Sequence, residues 1–226
     1  SHPHLVKYYG MEVLEDELLL FMEYCEEGTL EQLSHNTDGG LPEALIRRYT
    51  KQLLDGVAAL HDRGVIHRDI KGANIFLTND SLNLKLGDFG CAVRLSADQT
   101  QAGEVGGVVG THAFMAPEVF QSAGGQGRTA DIWSLACVII EMSTGRRPWP
   151  QYDSSAQIMF RVGMGQSPAL PPSLSKEGHD FLSRCFVHDP SARATSFLLL
   201  NHPFVKVSYL IDYYRSILNN IVIKML

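Results

Sequence analysis

The stretch His67-Arg68-Asp69-Ile70-Lys71-Gly72-Ala73-Asn74, with Gly87-Asp88-Phe89-Gly90 shortly after it, decides how this chain reads. Between the two lies a β-hairpin pattern: Ile75-Phe76-Leu77, a turn at Asn79-Asp80-Ser81, then the alternating Leu82, Leu84 and Leu86. Antiparallel pairing brings the outer ends of a hairpin together. Asn74 and Asp88 are therefore expected to be neighbours at one mouth. One short segment thus holds an acid able to take a hydroxyl, a cation able to take a phosphate, and two oxygen donors suited to a metal. Those are the parts needed to move a phosphoryl group.

Upstream, residues 5 to 25 read as two strands. Leu5 to Val13 is mixed apolar, Glu15-Asp16-Glu17 is a polar turn, and Leu18 to Tyr24 is strongly apolar. Cys25-Glu26-Glu27-Gly28 breaks the pattern as a connector, and Thr29 is placed to cap a short helix carrying Leu30 and Leu33. From Pro42 a long helix is predicted. Leu45, Tyr49, Leu53, Val57 and Leu60 recur at helical spacing, and Gly64 can end the helix in a left-handed conformation. Downstream, residues 91 to 114 are glycine-rich, polar and without period, the mark of a functional loop in a compact domain. Asp131 to Thr144 is apolar nearly all round, as expected of a helix buried inside a helical layer. Further helices are predicted at 154–164, 175–186 and 195–200, and no internal repeat is present.

The 226 residues are enough for a substantial core, and 45% hydrophobic with 19% charged residues is ordinary for a globular chain. A net charge of −6 gives no reason to expect nucleic acid or an anionic membrane as partner. No apolar run reaches the roughly 18 residues of a membrane span. The four cysteines, Cys25, Cys91, Cys137 and Cys185, are scattered, which points to a reducing, cytoplasmic setting.

With His67-Arg68-Asp69, Asn74 and Asp88-Phe89-Gly90 stand Gly110-Thr111, Ala116-Pro117-Glu118, Asp131-Ile132-Trp133-Ser134, and Arg193 after Asp189-Pro190. In that order and spacing, the chain resembles a eukaryotic protein kinase, from the end of the small lobe through the large lobe. Phe21-Met22-Glu23-Tyr24-Cys25, Lys71-Gly72-Ala73-Asn74 and Met115-Ala116-Pro117-Glu118 are similar to MAP kinase kinase kinases of the MEKK type. The resemblance implies an α+β fold with a mainly helical large lobe. It divides the chain into a small-lobe remnant at 1–25, a large lobe at 26–206 and a tail at 207–226. It also implies ATP and Mg²⁺ as cofactors, and as partner a protein substrate, a MAP kinase kinase.

By the same resemblance Asp69 is the catalytic base and Lys71 the phosphate contact, the lysine favouring serine and threonine over tyrosine substrates. Asn74 and Asp88 supply hard oxygen ligands for the metal. Met22, Glu23, Cys25 and Phe76 surround the adenine, Glu23 and Cys25 through their backbones. Arg68 pairs with a phosphorylated loop residue, with Ser96, Thr100 and Thr111 as the available hydroxyls and Thr100 favoured. Glu118 and Arg193 form an ion pair, and Asp131 bonds the backbone near His67 and Arg68.

The chain also departs from the pattern. Residues 1–25 contain no glycine-rich nucleotide loop and no matching lysine, and the chain opens on Ser-His-Pro-His. The expectation is a fragment that lacks the first strands of the small lobe and has little activity alone. The competing reading is a non-catalytic kinase-like module that binds partners. Oligomeric state is left open. Leu210, Tyr213, Ile217 and Ile221 fall at helical spacing in the tail, either as a docking helix or as a segment resting on the large lobe.

Overall fold

The computed structural model describes residues 1–95, 110–120 and 127–206. Ser96, Thr100 and the tail pattern beyond 206 lie outside the described residues.

The chain opens with an antiparallel ribbon, β1 (Tyr8–Val13) and β2 (Leu18–Met22), whose register is interrupted between Tyr8 and Gly10. Every residue of both strands is exposed, including Met11 at 68% and Phe21 at 49%. Helix α1 (Leu30–His35) follows the connector. Thr29 Oγ1 accepts from the Gln32 amide while Gln32 Oε1 accepts from the Thr29 amide, a reciprocal capping box that fixes where the helix starts. Helix α2 (Glu43–Asp62) buries Leu45, Tyr49, Leu53 and Val57. Gly64 follows it at φ +70°, a conformation costly for other residues.

The two-residue strand β3 (Val65–Ile66) leads into the His67 stretch. The hairpin of β4 (Ile75–Thr78) and β5 (Asn83–Leu86) pairs Ile75 with Leu86 and Leu77 with Leu84. Its apolar residues pack down against α2. Strand β6 (Val93–Arg94) pairs antiparallel with β3, a contact that no periodicity announces in so short a piece.

Helix α3 (Pro117–Phe120) precedes α4 (Arg128–Thr144), which is buried over almost its whole circumference. Trp133, Leu135, Ala136, Cys137, Val138 and Ile139 are all fully buried. Around it lie α1, α2 and α6 (Lys176–Cys185), with α7 (Ser196–Leu199) against α2 and α5 (Ser155–Gly163) against α3. The fold is a helical layer built on α4, with short antiparallel pairs laid over one end. This is the α+β arrangement expected from the sequence.

Candidate active site

The loop after β3 is held from below. Asp131, near the start of α4, is 1% exposed. Its Oδ2 accepts from the His67 amide at 3.0 Å, and its Oδ1 from the Arg68 amide at 2.9 Å. His61 Nε2 lies 2.8 Å from Oδ2. Burial would raise this carboxyl, but His61 and the backbone donors hold it below the ordinary range, so it stays charged. Arg68 sits at φ +68°, a strained conformation for a branchless polar chain. The Asp131 bond keeps it there. His67 is fully buried, with Nε2 2.9 Å from the Gly87 carbonyl and its ring 5.1 Å from that of Phe89. Loop and hairpin mouth are thereby fixed to each other.

On this base Asp69, Lys71, Asn74 and Thr111 form one polar cluster. Lys71 Nζ donates to Asp69 Oδ2 at 2.8 Å and to Thr111 Oγ1 at 2.8 Å, while Thr111 Oγ1 donates to Asp69 Oδ1 at 2.9 Å. Asn74 Nδ2 donates to the Asp69 carbonyl at 2.9 Å and to its Oδ2 at 3.0 Å. Burial pushes the Asp69 carboxyl up, yet the bonds from Lys71, Thr111 and Asn74 outweigh it and leave the group below the ordinary carboxylate value. At neutral pH it is a charged acceptor.

The Gly87 amide donates to the Asn74 carbonyl at 2.9 Å, so the loop's end and the approach to Asp88 do meet. Asp88 is exposed, at φ +56°, with Oδ1 accepting from the Gly90 amide. The donor set suits Mg²⁺. With its amide nitrogen committed to Asp69, Asn74 keeps its carbonyl oxygen for a metal, and Asp88 keeps Oδ2. Among the described residues no group of three or more His, Cys, Asp or Glu could hold a metal.

The residues predicted around the adenine are less closely gathered. Glu23 and Cys25 are half-buried on the connector and Phe76 half-buried on β4, while Met22 is 44% exposed on the open ribbon. The Glu23 carboxyl takes the Lys85 ammonium at 3.0 Å and the Lys7 amide at 3.1 Å. Arg68 Nε donates to the Cys91 carbonyl at 2.6 Å.

Two supporting residues escaped the sequence reading. His61 joins α2 to Asp131, and its Nδ1 lies 3.2 Å from Ser196 Oγ on α7. Glu141 lies on α4, 1% exposed, with Oε1 3.2 Å from His35 Nε2 and, among the described residues, no hydrogen-bond partner for Oε2. It presses on the Asp69–Asn74 loop at Gly72, where an added Cβ would run into Glu141 Oε2. Burial first, then the Glu31 charge, push this carboxyl up to about 8, offset in part by the Gly72 backbone. The available signal was one acid in an otherwise apolar run. Farther out, Arg193 grips Glu118 with two bonds, of 2.6 and 2.8 Å, and its remaining donors reach the carbonyls of Thr129, Val187 and His188.

An acid, a lysine and an asparagine stand together on one loop held by a buried aspartate of the central helix, the arrangement that the resemblance to protein kinases implies. The protein kinase domain family matches residues 1–205, and the chain belongs to that family. It is 55% identical over 210 residues to mitogen-activated protein kinase kinase kinase 4 of Homo sapiens, covering 92% of this chain and 13% of that protein. It is 39% identical over 214 residues to mitogen-activated protein kinase kinase kinase 5 of Arabidopsis thaliana, covering 92% of this chain and 29% of that one. Serine/threonine-protein kinase SSK22 of Saccharomyces cerevisiae is 40% identical over 223 residues, with 91% of this chain and 16% of the yeast protein covered. The chain thus spans a small part of these relatives' length.

Proposed function

We propose that this chain carries the catalytic half of a serine/threonine protein kinase that moves the γ-phosphoryl group of ATP to a protein hydroxyl. The observation that supports this best is the Asp69–Lys71–Thr111–Asn74 cluster. Asp69 is a charged acceptor able to hold a substrate hydroxyl and take its proton. Lys71 stands beside it to neutralise charge on the transferred phosphate. Asn74 and Asp88 would hold Mg²⁺, which when bound screens the charges of the nucleotide phosphates. Glu23 and Cys25 of the connector, with Met22 and Phe76, form the base site in this reading. Residues 1–25 are its small-lobe part and 26–206 its large lobe.

The names of the relatives favour a place in a MAP kinase cascade, with a MAP kinase kinase as substrate. The scattered free thiols favour a cytoplasmic setting. Among the described residues no helix is long and apolar enough to cross a membrane.

The test is transfer of labelled phosphate from ATP to a protein acceptor by the full-length protein. Label is expected on serine or threonine and is expected to be lost in Asp69→Asn. Undiminished transfer by Asp69→Asn overturns the assignment of the base. Full nucleotide binding with no transfer by the parent favours the non-catalytic binding module.

A further inference from the structure

The hairpin turn between β4 and β5 is unusual. Asn79, Asp80 and Ser81 stand in succession at φ +60°, +55° and +55°. Side chains seldom accept a left-handed conformation singly, and three non-glycine residues in a row need something to hold them. Successive amides in such a turn point into one concavity, a nest for an anion. Here the anion is the protein's own. Glu27, on the connector, accepts from the Asp80 amide at 3.0 Å with Oε1 and from the Ser81 amide at 2.5 Å with Oε2. Ser81 Oγ adds a third bond to Oε2 at 3.3 Å. From the other side, Tyr49 of α2 donates to the Ser81 carbonyl.

Glu27 does not belong to the hairpin. It lies between Cys25, whose backbone borders the base site in the functional reading above, and Gly28, whose carbonyl accepts from the Leu77 amide at 3.0 Å. Thr29 then forms a bridge with Phe76. The connector is therefore fastened to the hairpin at two places. One is the backbone contact along β4, and the other is the Glu27 carboxylate in the turn. The first fixes the connector beside Phe76. The second fixes the segment that runs back toward Cys25 and Glu23.

We propose that Glu27 is a positioning residue for the nucleotide base. By filling the nest at the Asn79–Ser81 turn, it sets the distance between the connector backbone and the Phe76 ring. This rests on the reading of the connector as a nucleotide-base site. Neutral replacement loses the charge that three donors share, and alanine leaves both nest amides without their anion.

The experiment compares parent, Glu27→Ala and Glu27→Gln in the full-length protein by hydrogen exchange of the connector amides and by calorimetric titration with adenosine and with ADP. Glu27→Ala is expected to speed exchange at residues 26–29 and to weaken adenosine and ADP by one common factor, about three- to tenfold. A common factor marks a defect at the base, since adenosine has no phosphate. Glu27→Gln, whose carbonyl oxygen can still accept, is expected to recover part of the affinity. Unchanged exchange in Glu27→Ala, or faster exchange with unchanged adenosine affinity, overturns the inference and leaves the nucleotide reading in place. A parent that binds neither ligand removes the nucleotide reading itself, and the inference with it.

Discussion

Replacing Glu141 by glutamine should flatten a dependence of stability on pH that the parent chain carries. The carboxyl lies between α4 and the Asp69–Asn74 loop, with one oxygen near His35 and the other unpartnered among the described residues. The charged and titratable groups facing it among the described residues are His35, Glu31 and the buried Cys137 thiol, beside the Gly72 backbone. Its pKa rises from the ordinary 4.5 to about 8 in the folded state. Across that interval the folded protein holds a proton that the unfolded chain releases, so stability is present at the acid end and falls as pH rises. At about 1.4 kcal/mol per pH unit, the loss on going from pH 5 to pH 8 is on the order of 3–4 kcal/mol. Glutamine keeps the shape and cannot ionise. Urea unfolding of both proteins at half-unit steps from pH 5 to 9 reads the effect. The variant is expected to match the parent near pH 5 and to exceed it by about 3 kcal/mol near pH 8. The comparison is of the difference between the two curves, which cancels whatever both proteins share. Parallel curves above pH 6 would refute the argument and place a compensating donor on Oε2.

Breaking the bidentate Glu118–Arg193 pair from one side, as in Arg193→Ala, should cost about 3–5 kcal/mol, because a carboxylate 5% exposed is left without its cation. Thermal unfolding checks it, and a loss below 1 kcal/mol would show that water reaches Glu118. Thr111→Ala removes the hydroxyl that joins Asp69 to Lys71. It should slow transfer about tenfold or more and raise the acid limb of the pH–rate profile, since a donor that lowers the Asp69 pKa is gone, whereas Thr111→Ser should retain both. Gly72→Ala places a methyl on Glu141 Oε2 and close to the Glu31 amide, and should destabilise by about 1–3 kcal/mol. Combining it with Glu141→Ser should recover part of that loss, and strict additivity in the double-mutant cycle would place the strain elsewhere.

Much of this architecture could be read from local chemistry. Thr29 and Gln32 announce the start of α1, the spacing of Leu45, Tyr49, Leu53 and Val57 announces α2, and the alternation of Leu82, Leu84 and Leu86 announces β5. Period and capping are properties of neighbours in sequence, so they survive without tertiary knowledge. The pairing of β3 with β6 was not legible, because two residues carry no period. Nor was the exposure of Met22. An apolar strand says that a cover is favourable and does not say what lies over it among the described residues. His61, Glu27 and Glu141 were missed for a further reason. Each acts through a partner far along the chain, at Asp131, Ser81 and Gly72; nothing local distinguishes His61 from a helix-end histidine or Glu27 from a surface acid, and Glu141 stands out only as one acid in an apolar run.

The placement of these long-range contacts explains how the site can be rigid where its backbone is strained. Arg68 and Asp88 both adopt left-handed conformations, on either side of the hairpin that presents Asn74. Strain of this kind persists only where surrounding structure over-determines it. Arg68 is held by Asp131, itself fixed by His61 and rooted in a fully buried helix. The hairpin is held at its mouth by His67 on Gly87 and at its turn by Tyr49 and Glu27. Among the described residues Asp88 has only its local bond to Gly90, and it is the exposed member of the set. The loop with Asp69, Lys71 and Asn74 is therefore the fixed half of the site. In the functional reading proposed above, Asp88 is the half whose geometry a bound nucleotide and metal would complete.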